Sequence, residues 1–301
     1  MMQALQLHSG AAQVRLLPQA GGRISSLRLA RAGAQALDIL HPYPEDFFGP
    51  IRWAKGGIYP LMPYSNRIAD AHLEVDGQSI ALPTHPDAAP HTLHGNAHAQ
   101  AWQLEQANAS SALMTLDSPS CAAWPWHYKA SLRVQLTPDQ LALHIALTNV
   151  DTRSMPAGIG LHPYFRHRPD GRLAYRAGCV WPPTAEFLPG DRRAPLPNED
   201  YTAARPLPEG GLTQYVGDWK GEALIDLPEG ACLKLSADPV FSHLVVHRPD
   251  SIGYLCLEPV SHVADAFNLA ARGVPDTGAQ QLAPGETMTG TIRLQLQGDV
   301  E

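Results

Sequence analysis

Apolar and polar residues alternate with a period of two along most of the chain, and this alternation predicts β-strands. In "SLRVQLTPDQLALHIAL", residues 131–147, apolar side chains occupy every second position on both sides of Pro138 and Asp139. Alternation interrupted by a short turn is typical of two antiparallel strands. The stretch therefore predicts a β-hairpin.

A second hairpin is predicted at residues 72–82, "HLEVDGQSIAL", where Asp76 and Gly77 supply the two positive-φ positions of a tight turn. Further alternating strands are predicted at 231–237, 242–247 and 291–297, and short helical turns at 263–270. Many short strands with few short helices indicate an all-β fold, a large antiparallel β-sandwich. Because glycine and proline are spread along the chain, we expect one domain over residues 1–301.

The proline-rich segment 181–209 predicts a long irregular excursion. Long ordered loops on β scaffolds often frame binding sites, and they also serve as plain surface crossovers. Both interpretations stay open from the sequence.

Composition narrows the class of partner. The 301 residues carry a net charge of −7, and 44% are hydrophobic. No global positive field attracts nucleic acid or an anionic membrane. No uncharged apolar run approaches the ~20 residues of a membrane span, and the N-terminus lacks the pattern of an export signal. The four cysteines form no C-x-x-C pair, so we expect reduced thiols in a cytoplasmic protein that binds a small molecule.

The segment "PAGIGLHPYFRH", residues 156–167, places a titratable group inside an apolar run. If the segment is extended, Gly158, Gly160, His162 and Tyr164 project to one side. Glycines on that face suggest close approach by a ligand or by another backbone. A closely packed strand with a buried histidine is the alternative.

Glu258 stands at the end of the apolar run "YLCLE" in "IGYLCLEPVSHVADAFN". Glutamate is almost never fully buried unless it is paired or functional. It is either a carboxylate held by an arginine or a base whose pKa is raised by partial burial.

Three histidines lie in "HTLHGNAH", namely His91, His94 and His98. Their spacing would suit a zinc site on a helix, but Pro90 and Gly95 argue against a helix. His94 fits better as a single histidine presented at the end of a strand.

Asn66 and Arg67 follow a proline turn in "YPLMPYSNRIAD". They either cap the turn or supply hydrogen-bond donors for a ligand rich in hydroxyl groups.

The signatures of dinucleotide-binding folds, phosphate loops, serine hydrolases and zinc proteases are missing from the sequence. An acid/base site built from histidine and glutamate, without a cofactor, is the chemistry that remains.

Five segments, in order between residues 55 and 296, resemble the aldose 1-epimerases, or galactose mutarotases, and particularly their broad bacterial branch. They are "YPLMPYSNRIAD", "HTLHG", "WPWHYKASLRVQL" running on to "LTNVDTRSMPAGIGLHPYF", "CLEPVSHVADAFN" and "LAPGETMTGTIRL".

The resemblance implies a large antiparallel β-sandwich with an open cleft for a free sugar. It implies that Glu258 is the general base and His162 the general acid. The sugar site would be lined by Asn66, Arg67, His94 and Tyr164. No metal or organic cofactor is expected, and we expect a monomer or homodimer. On this interpretation Gly158 and Gly160 make room for the sugar ring.

The chain departs from the family at two places. Thr213 stands where classical galactose mutarotases carry an aspartate, with Asp218 five residues on. A glutamine that other members place ahead of the glutamate strand is missing from "SHLVVHRPD", residues 242–250. A preference for galactose therefore does not follow from the resemblance.

Three alternatives stay open. A hexose-6-phosphate epimerase would use the same acid/base pair and add cations for the phosphate. Candidate cations are Arg166, Arg168, Arg192 and Arg193. A non-catalytic carbohydrate-binding module would need the cleft but not the pair. A metal-dependent enzyme would use His91, His94 and His98. The physiological sugar is left open.

Overall fold

A computed structural model describes residues 4–31, 34–46, 48–49, 51–52, 54–250 and 253–297. In chain order its strands are β1 (Leu5–Ser9), β2 (Ala12–Leu17), β3 (Arg23–Leu29), β4 (Leu37–Asp38), β5 (Ile58–Leu61), β6 (Arg67–Ile68), β7 (His72–Val75), β8 (Gln78–Ala81), β9 (Thr92–Leu93), β10 (Gln103–Ala107), β11 (Ser111–Ser118), β12 (Tyr128–Leu136), β13 (Gln140–Asn149), β14 (Met155–Ala157), β15 (Gly160–Arg166), β16 (Arg172–Tyr175), β17 (Cys179–Trp181), β18 (Arg205–Pro206), β19 (Leu212–Gly217), β20 (Glu222–Asp226), β21 (Cys232–Ala237), β22 (His243–Arg248), β23 (Tyr254–Val260), β24 (Gln280–Leu282) and β25 (Thr287–Leu296).

Within the described residues, the helices are α1 (Ala266–Ala271) and three short 3₁₀ turns, Pro18–Ala20, Ala69–Ala71 and Ala97–Ala99. None of these helices is long and apolar enough to cross a membrane. The four cysteines are free.

Two large antiparallel sheets dominate the described part of the chain. The first runs in the order β1-β2-β3-β5-β15-β23-β22-β19-β17, with β4 beside β3, and the second in the order β10-β11-β12-β13-β25-β21-β20-β16-β18. One apolar cluster joins them, with Leu161 and Leu257 from the first sheet and Leu143 and Leu294 from the second. The all-β sandwich prediction is confirmed.

Both predicted hairpins are present. Strands β12 and β13 pair in a register that sets Leu132 opposite Ile145, and β7 and β8 flank the tight turn. Asp76 and Gly77 have φ values of 51° and 75°, as this turn requires. The three other predicted strands correspond to β21, β22 and the longer β25, and the helical turns to α1.

The first sheet is buried on both faces at its centre, where β15 and β23 lie side by side. Leu161 and Leu257 face the sandwich core, whereas Tyr164 and Cys256 belong to a separate cluster on the opposite face. The period-two alternation of a strand produces this division. We call this opposite face the outer face of the first sheet.

The prediction that Gly158 and Gly160 make room for a sugar is wrong. A Cβ on Gly160 would lie 2.7 Å from Cγ1 of Val260 and 2.9 Å from the carbonyl oxygen of Pro259. A Cβ on Gly158 would lie 2.2 Å from Cδ2 of the His262 ring. The space beside both glycines is therefore filled by residues 259–262 of the same chain, which fits the alternative of a closely packed strand.

We expect Gly160→Val to destabilise the fold by about 3 kcal/mol, because its side chain overlaps Val260 and a backbone carbonyl that cannot move freely. Urea unfolding, read as the shift of the midpoint, measures this. Ala142→Val, on the half-buried opposite side of β13 from the core leucines, is the control and should change stability by less than about 1 kcal/mol. An unchanged midpoint for Gly160→Val would contradict the packing assigned to this glycine.

Candidate active site

His162 and Glu258 face each other across two neighbouring strands. The register of β15 and β23 joins Gly160 to Val260 and so sets His162 opposite Glu258, two residues along each strand. Nε2 of the imidazole lies 3.3 Å from Oε1 of the carboxyl group. Two residues that are far apart in sequence are thus within hydrogen-bonding reach of each other.

Both side chains of this pair are buried, with 7% of His162 and 3% of Glu258 exposed. Within the described part of the chain, neither Oε2 of Glu258 nor Nδ1 of His162 has a hydrogen-bond partner. An unpaired buried polar atom costs free energy, and such atoms are retained where a ligand or a reaction uses them. The pair therefore has unused hydrogen-bonding capacity beside the cleft that both residues line.

Burial sets the protonation of the pair. It raises the pKa of Glu258 from its ordinary 4.5 to about 8, against the opposing charges of Lys55 and Arg67. Burial, followed by the charge of Lys55, lowers the pKa of His162 well below 6.5. Both shifts favour the uncharged forms. Near pH 7 the carboxyl group of Glu258 therefore keeps its proton, and the imidazole of His162 is neutral. With its ordinary pKa the histidine would bind a proton more tightly than the glutamate, and full desolvation of both groups reverses this order.

Aromatic rings fix the imidazole of His162. Tyr59 stacks on it with ring centroids 4.8 Å apart, and Tyr164 with centroids 4.6 Å apart. Behind Tyr59 lies the buried guanidinium of Arg23, with Cζ 4.5 Å from the centre of the tyrosine ring. The ring of His162 is thereby held against rotation, and a fixed ring keeps Nε2 facing Glu258.

Two hydrogen bonds link Asn66 and His94, and both involve the backbone of Asn66. The His94 amide donates to the carbonyl oxygen of Asn66 at 2.8 Å, and the Asn66 amide donates to Nδ1 of His94 at 3.1 Å. Both residues have positive φ, 57° for Asn66 and 65° for His94. Burial, then the charge of His162, lowers the pKa of His94 well below 6.5. The neutral ring therefore carries its proton on Nε2, where it is a hydrogen-bond donor.

Arg67 lies between the site and the proline-rich excursion. Its Nη1 donates to Oδ1 of Asn66 at 3.3 Å, and its Cζ lies 4.9 Å from the centre of the Phe187 ring. Tyr215 also reaches this loop, donating its hydroxyl to the carbonyl oxygen of Phe187 at 2.7 Å. The excursion predicted at 181–209 thus contributes to the wall of the site.

Two residues after β23 support the turn that carries Asn66 and Arg67. Nε2 of His262 accepts a hydrogen bond from the Ser65 amide at 3.2 Å, and the Asp265 amide donates to the Arg67 carbonyl oxygen at 2.7 Å. They contact the backbone of the turn, so their role is positioning. Neither positioning role was predicted from the sequence, although both residues lie in the segment "CLEPVSHVADAFN" that carries the family resemblance.

The predicted site residues line one cleft on the outer face of the first sheet, with a volume of about 200 Å³. They are Asn66, Arg67, His94, His162, Tyr164 and Glu258. The cleft also contains residues that the sequence argument did not select, among them Lys55, His85, Tyr215 and His247. Tyr215 and His247 could have been found from the alternation of their strands. Val216 and Val246 face the core, so the residue next to each of them faces the opposite side of the sheet.

Thr213, at the position predicted for the family aspartate, lines the cleft. Asp218, five residues on, does not. The hydroxyl of Thr213 lies 2.9 Å from Nδ1 of His247, its register partner. Asp218 is exposed and forms an ion pair with Lys220 at 2.6 Å. A hydroxyl and an imidazole therefore stand at this end of the cleft.

The proposed zinc site at His91, His94 and His98 does not form. The rings of His94 and His98 are 6.4 Å apart at their centroids, and His91 lies instead near Asp70 and Glu186. Within the described residues, the trio whose ligand atoms lie within 4.8 Å of one another is His162, Cys256 and Glu258. The expectation of a cofactor-free site stays a prediction.

The arginines suggested for a phosphate also lie outside the cleft lining. Each has a carboxylate partner, in the pairs Arg166–Glu229, Arg168–Asp170, Arg192–Asp276 and Arg193–Glu199. This cluster does not serve the site.

Comparisons with known proteins agree on the family. A family model described as aldose 1-epimerase matches residues 3–295. The chain is 28% identical over 248 residues to the uncharacterized protein YphB of Escherichia coli K12, covering 79% of this chain and 83% of that protein.

Solved structures give the same result. A candidate aldose 1-epimerase from E. coli K12 superposes with a TM-score of 0.85 at 25% identity, covering 99% of both chains. Galactose 1-epimerase from Lactobacillus acidophilus NCFM has a similar fold, with a TM-score of 0.77 at 16% identity, covering 98% of this chain and 94% of that one.

The raised pKa of Glu258 predicts that the carboxyl group destabilises the fold as the pH rises. Above pH 4.5 the unfolded chain releases this proton, whereas the folded chain keeps it up to about pH 8. Glu258→Gln should therefore gain stability over the wild type between pH 5 and pH 8, by on the order of a few kcal/mol.

Urea unfolding of both proteins at pH 5 and pH 8 tests this. Glu74→Gln, which removes an exposed carboxylate on β7, is the matched control and should show no such gain. A stability difference between wild type and Glu258→Gln that is the same at both pH values would contradict the buried, protonated carboxyl group.

Proposed function

The chain belongs to the aldose 1-epimerase family, and from this premise we propose that it interconverts the α and β anomers of a free aldose. The observation that carries the proposal is the buried contact of Glu258 with His162, 3.3 Å apart in a cleft of about 200 Å³. One acid and one base meet there, in a space that suits a monosaccharide.

The reaction needs two proton transfers. We assign Glu258 as the general base that takes the proton of the anomeric hydroxyl, and His162 as the general acid that protonates the ring oxygen. The bond between the ring oxygen and the anomeric carbon breaks, and a carbonyl forms at that carbon. Rotation of the aldehyde presents its other face, and closure returns both protons with the roles exchanged.

Sugar binding supplies the charge state that this assignment requires. Before a sugar binds, the carboxyl group of Glu258 is protonated and the imidazole of His162 is neutral. A sugar hydroxyl that donates a hydrogen bond to the carboxyl group of Glu258 stabilises the carboxylate, because hydrogen bonds to the charged form lower the pKa of an acid. The proton then moves to Nε2 of His162 over the 3.3 Å contact.

The remaining cleft residues orient the sugar. Arg67 and the Nε2–H of His94 are donors for the ring oxygen and for hydroxyls that gain charge in the open form. Asn66 holds both of them in place through its backbone and its amide oxygen. The ring of Tyr164 offers an apolar surface for one face of the sugar.

We expect the purified protein to accelerate anomeric equilibration of freshly dissolved α-aldoses, with or without a chelator. Polarimetry or NMR exchange measures the rate. Glu258→Gln and His162→Asn should each lower kcat by about 10²- to 10⁴-fold, the usual contribution of a general acid or base. His127→Asn, at an exposed histidine paired with Asp117, is the control and should keep full activity.

The panel should include neutral pentoses and hexoses together with their carboxylate and phosphate derivatives. Wild-type rates equal to buffer for every member would refute the epimerase proposal. Activity lost with the chelator and restored by metal would refute the cofactor-free mechanism.

The pH profile follows from the same pair. Activity requires one proton on the pair, so kcat/KM should fall as the pH rises past about 8, where Glu258 loses that proton. It should not fall near pH 6.5, since the pKa of His162 lies well below that value. A profile with its acidic limb centred at 6.5 would contradict this protonation scheme.

A further inference from the structure

The cleft carries more positive than negative charge. Lys55 and Arg67 are its cations, and Glu258 and Asp87 its carboxyl groups. Burial favours the protonated, neutral form of Glu258, and exposed Asp87 lies 3.5 Å from Nε of Arg52. A cationic cleft in a protein whose net charge is −7 is a local feature, and oppositely charged ligands are drawn to such clefts.

Lys55 acts on the inside of the cleft. Lys55 lies between β4 and β5. It is exposed to solvent and lines the cleft. Burial raises the pKa of Glu258 and lowers that of His162, and for both groups the Lys55 charge is the next cause. The same charge lowers the pKa of His247, after burial. Its field therefore spans β15, β22 and β23.

The end of the cleft near β19 and β22 suits an anion. Thr213 and His247 present a hydroxyl and an imidazole there, 2.9 Å apart. The neighbouring wall residues are Tyr215 and Val245, and the acidic group nearest to them is Glu258, the register partner of Val245, whose protonated form burial favours. One proton of the Thr213–His247 pair is used in their mutual hydrogen bond, so the pair offers one further donor, either the hydroxyl or Nε2–H of the imidazole, beside the ammonium and guanidinium groups.

We propose that Lys55 and His247, together with Arg67, form a subsite for an anionic substituent on the sugar. The substrate would then be an aldose that bears a carboxylate or a phosphate away from its anomeric carbon. This inference rests on the proposed epimerase function and narrows its substrate class. Carboxylate and phosphate share the charge and the acceptor oxygens that these donors recognise.

The test compares glucose, glucuronate and glucose 6-phosphate as substrates of the wild type and of Lys55→Gln. We expect the wild type to have at least a tenfold higher kcat/KM for one of the two anionic sugars than for glucose. Lys55→Gln should lower kcat/KM for that anionic sugar about tenfold more than it lowers kcat/KM for glucose, mainly through KM, because a charge-assisted hydrogen bond to the anion is lost. Added salt should reduce the preference in the wild type.

Lys129→Gln, at an exposed lysine on the second sheet, is the matched control and should change none of these values. Whichever anion shows the Lys55-dependent preference identifies the substituent. Titration calorimetry with the two anionic sugars provides a readout that does not depend on turnover, and Lys55→Gln should weaken binding of the preferred one about tenfold.

The outcomes separate the two proposals. Turnover of glucose equal to or better than both anionic sugars, with no selective effect of Lys55→Gln, would overturn the subsite and leave the epimerase intact. Absence of turnover on all three sugars would argue against the epimerase. Calorimetry then decides the subsite, since equal binding by wild type and Lys55→Gln would overturn it as well.

Discussion

The contact between the carboxyl group of Glu258 and the imidazole of His162 is the constraint around which the outer face of the first sheet is organised. Both groups lose their water, and an isolated charge in such a place costs several kcal/mol. The pair avoids this cost by sharing one proton in a neutral state. A sheet that is buried on both faces at its centre can hold such a pair, because each of the two side chains is fixed by its own strand, β15 or β23.

The support for the site comes from segments that lie far apart in the chain. The turn with Asn66 and Arg67 is held by hydrogen bonds from its backbone to His262 and Asp265, which follow the glutamate strand. Gly158 has no side chain, and this permits the ring of His262 to approach. One strand and the segment that follows it thus supply the carboxyl group and the support for the turn that carries Asn66 and Arg67. This explains why several separated segments carry the family resemblance together.

The sequence predicted what depends on local pattern. The hairpins of β7–β8 and β12–β13 were predictable because their turns and alternation lie within a few residues. Strand parity placed His162 and Tyr164 on one face correctly. The pairing of His162 with Glu258 was not predictable from pattern, since it depends on a register between strands 96 residues apart, and only the family resemblance suggested it. The glycines were assigned to the ligand because their actual neighbours come from that distant part of the chain, Val260 from the strand itself and His262 from the segment after it.

The neutral resting pair also suits a reaction that runs in both directions. An epimerase must pass a proton from glutamate to histidine and back with equal ease, so the two groups work best when their proton affinities are close. In water, histidine binds the proton more tightly than glutamate, whereas burial reverses this order by raising one pKa and lowering the other. In the proposed mechanism, a sugar hydroxyl that donates a hydrogen bond to the carboxylate of Glu258 lowers the proton affinity of this group, so the proton affinities of glutamate and histidine become closer. Burial and ligand contact therefore act in opposite directions on the pKa of Glu258, and under the proposed mechanism their balance would set the ease of proton exchange once a sugar is bound.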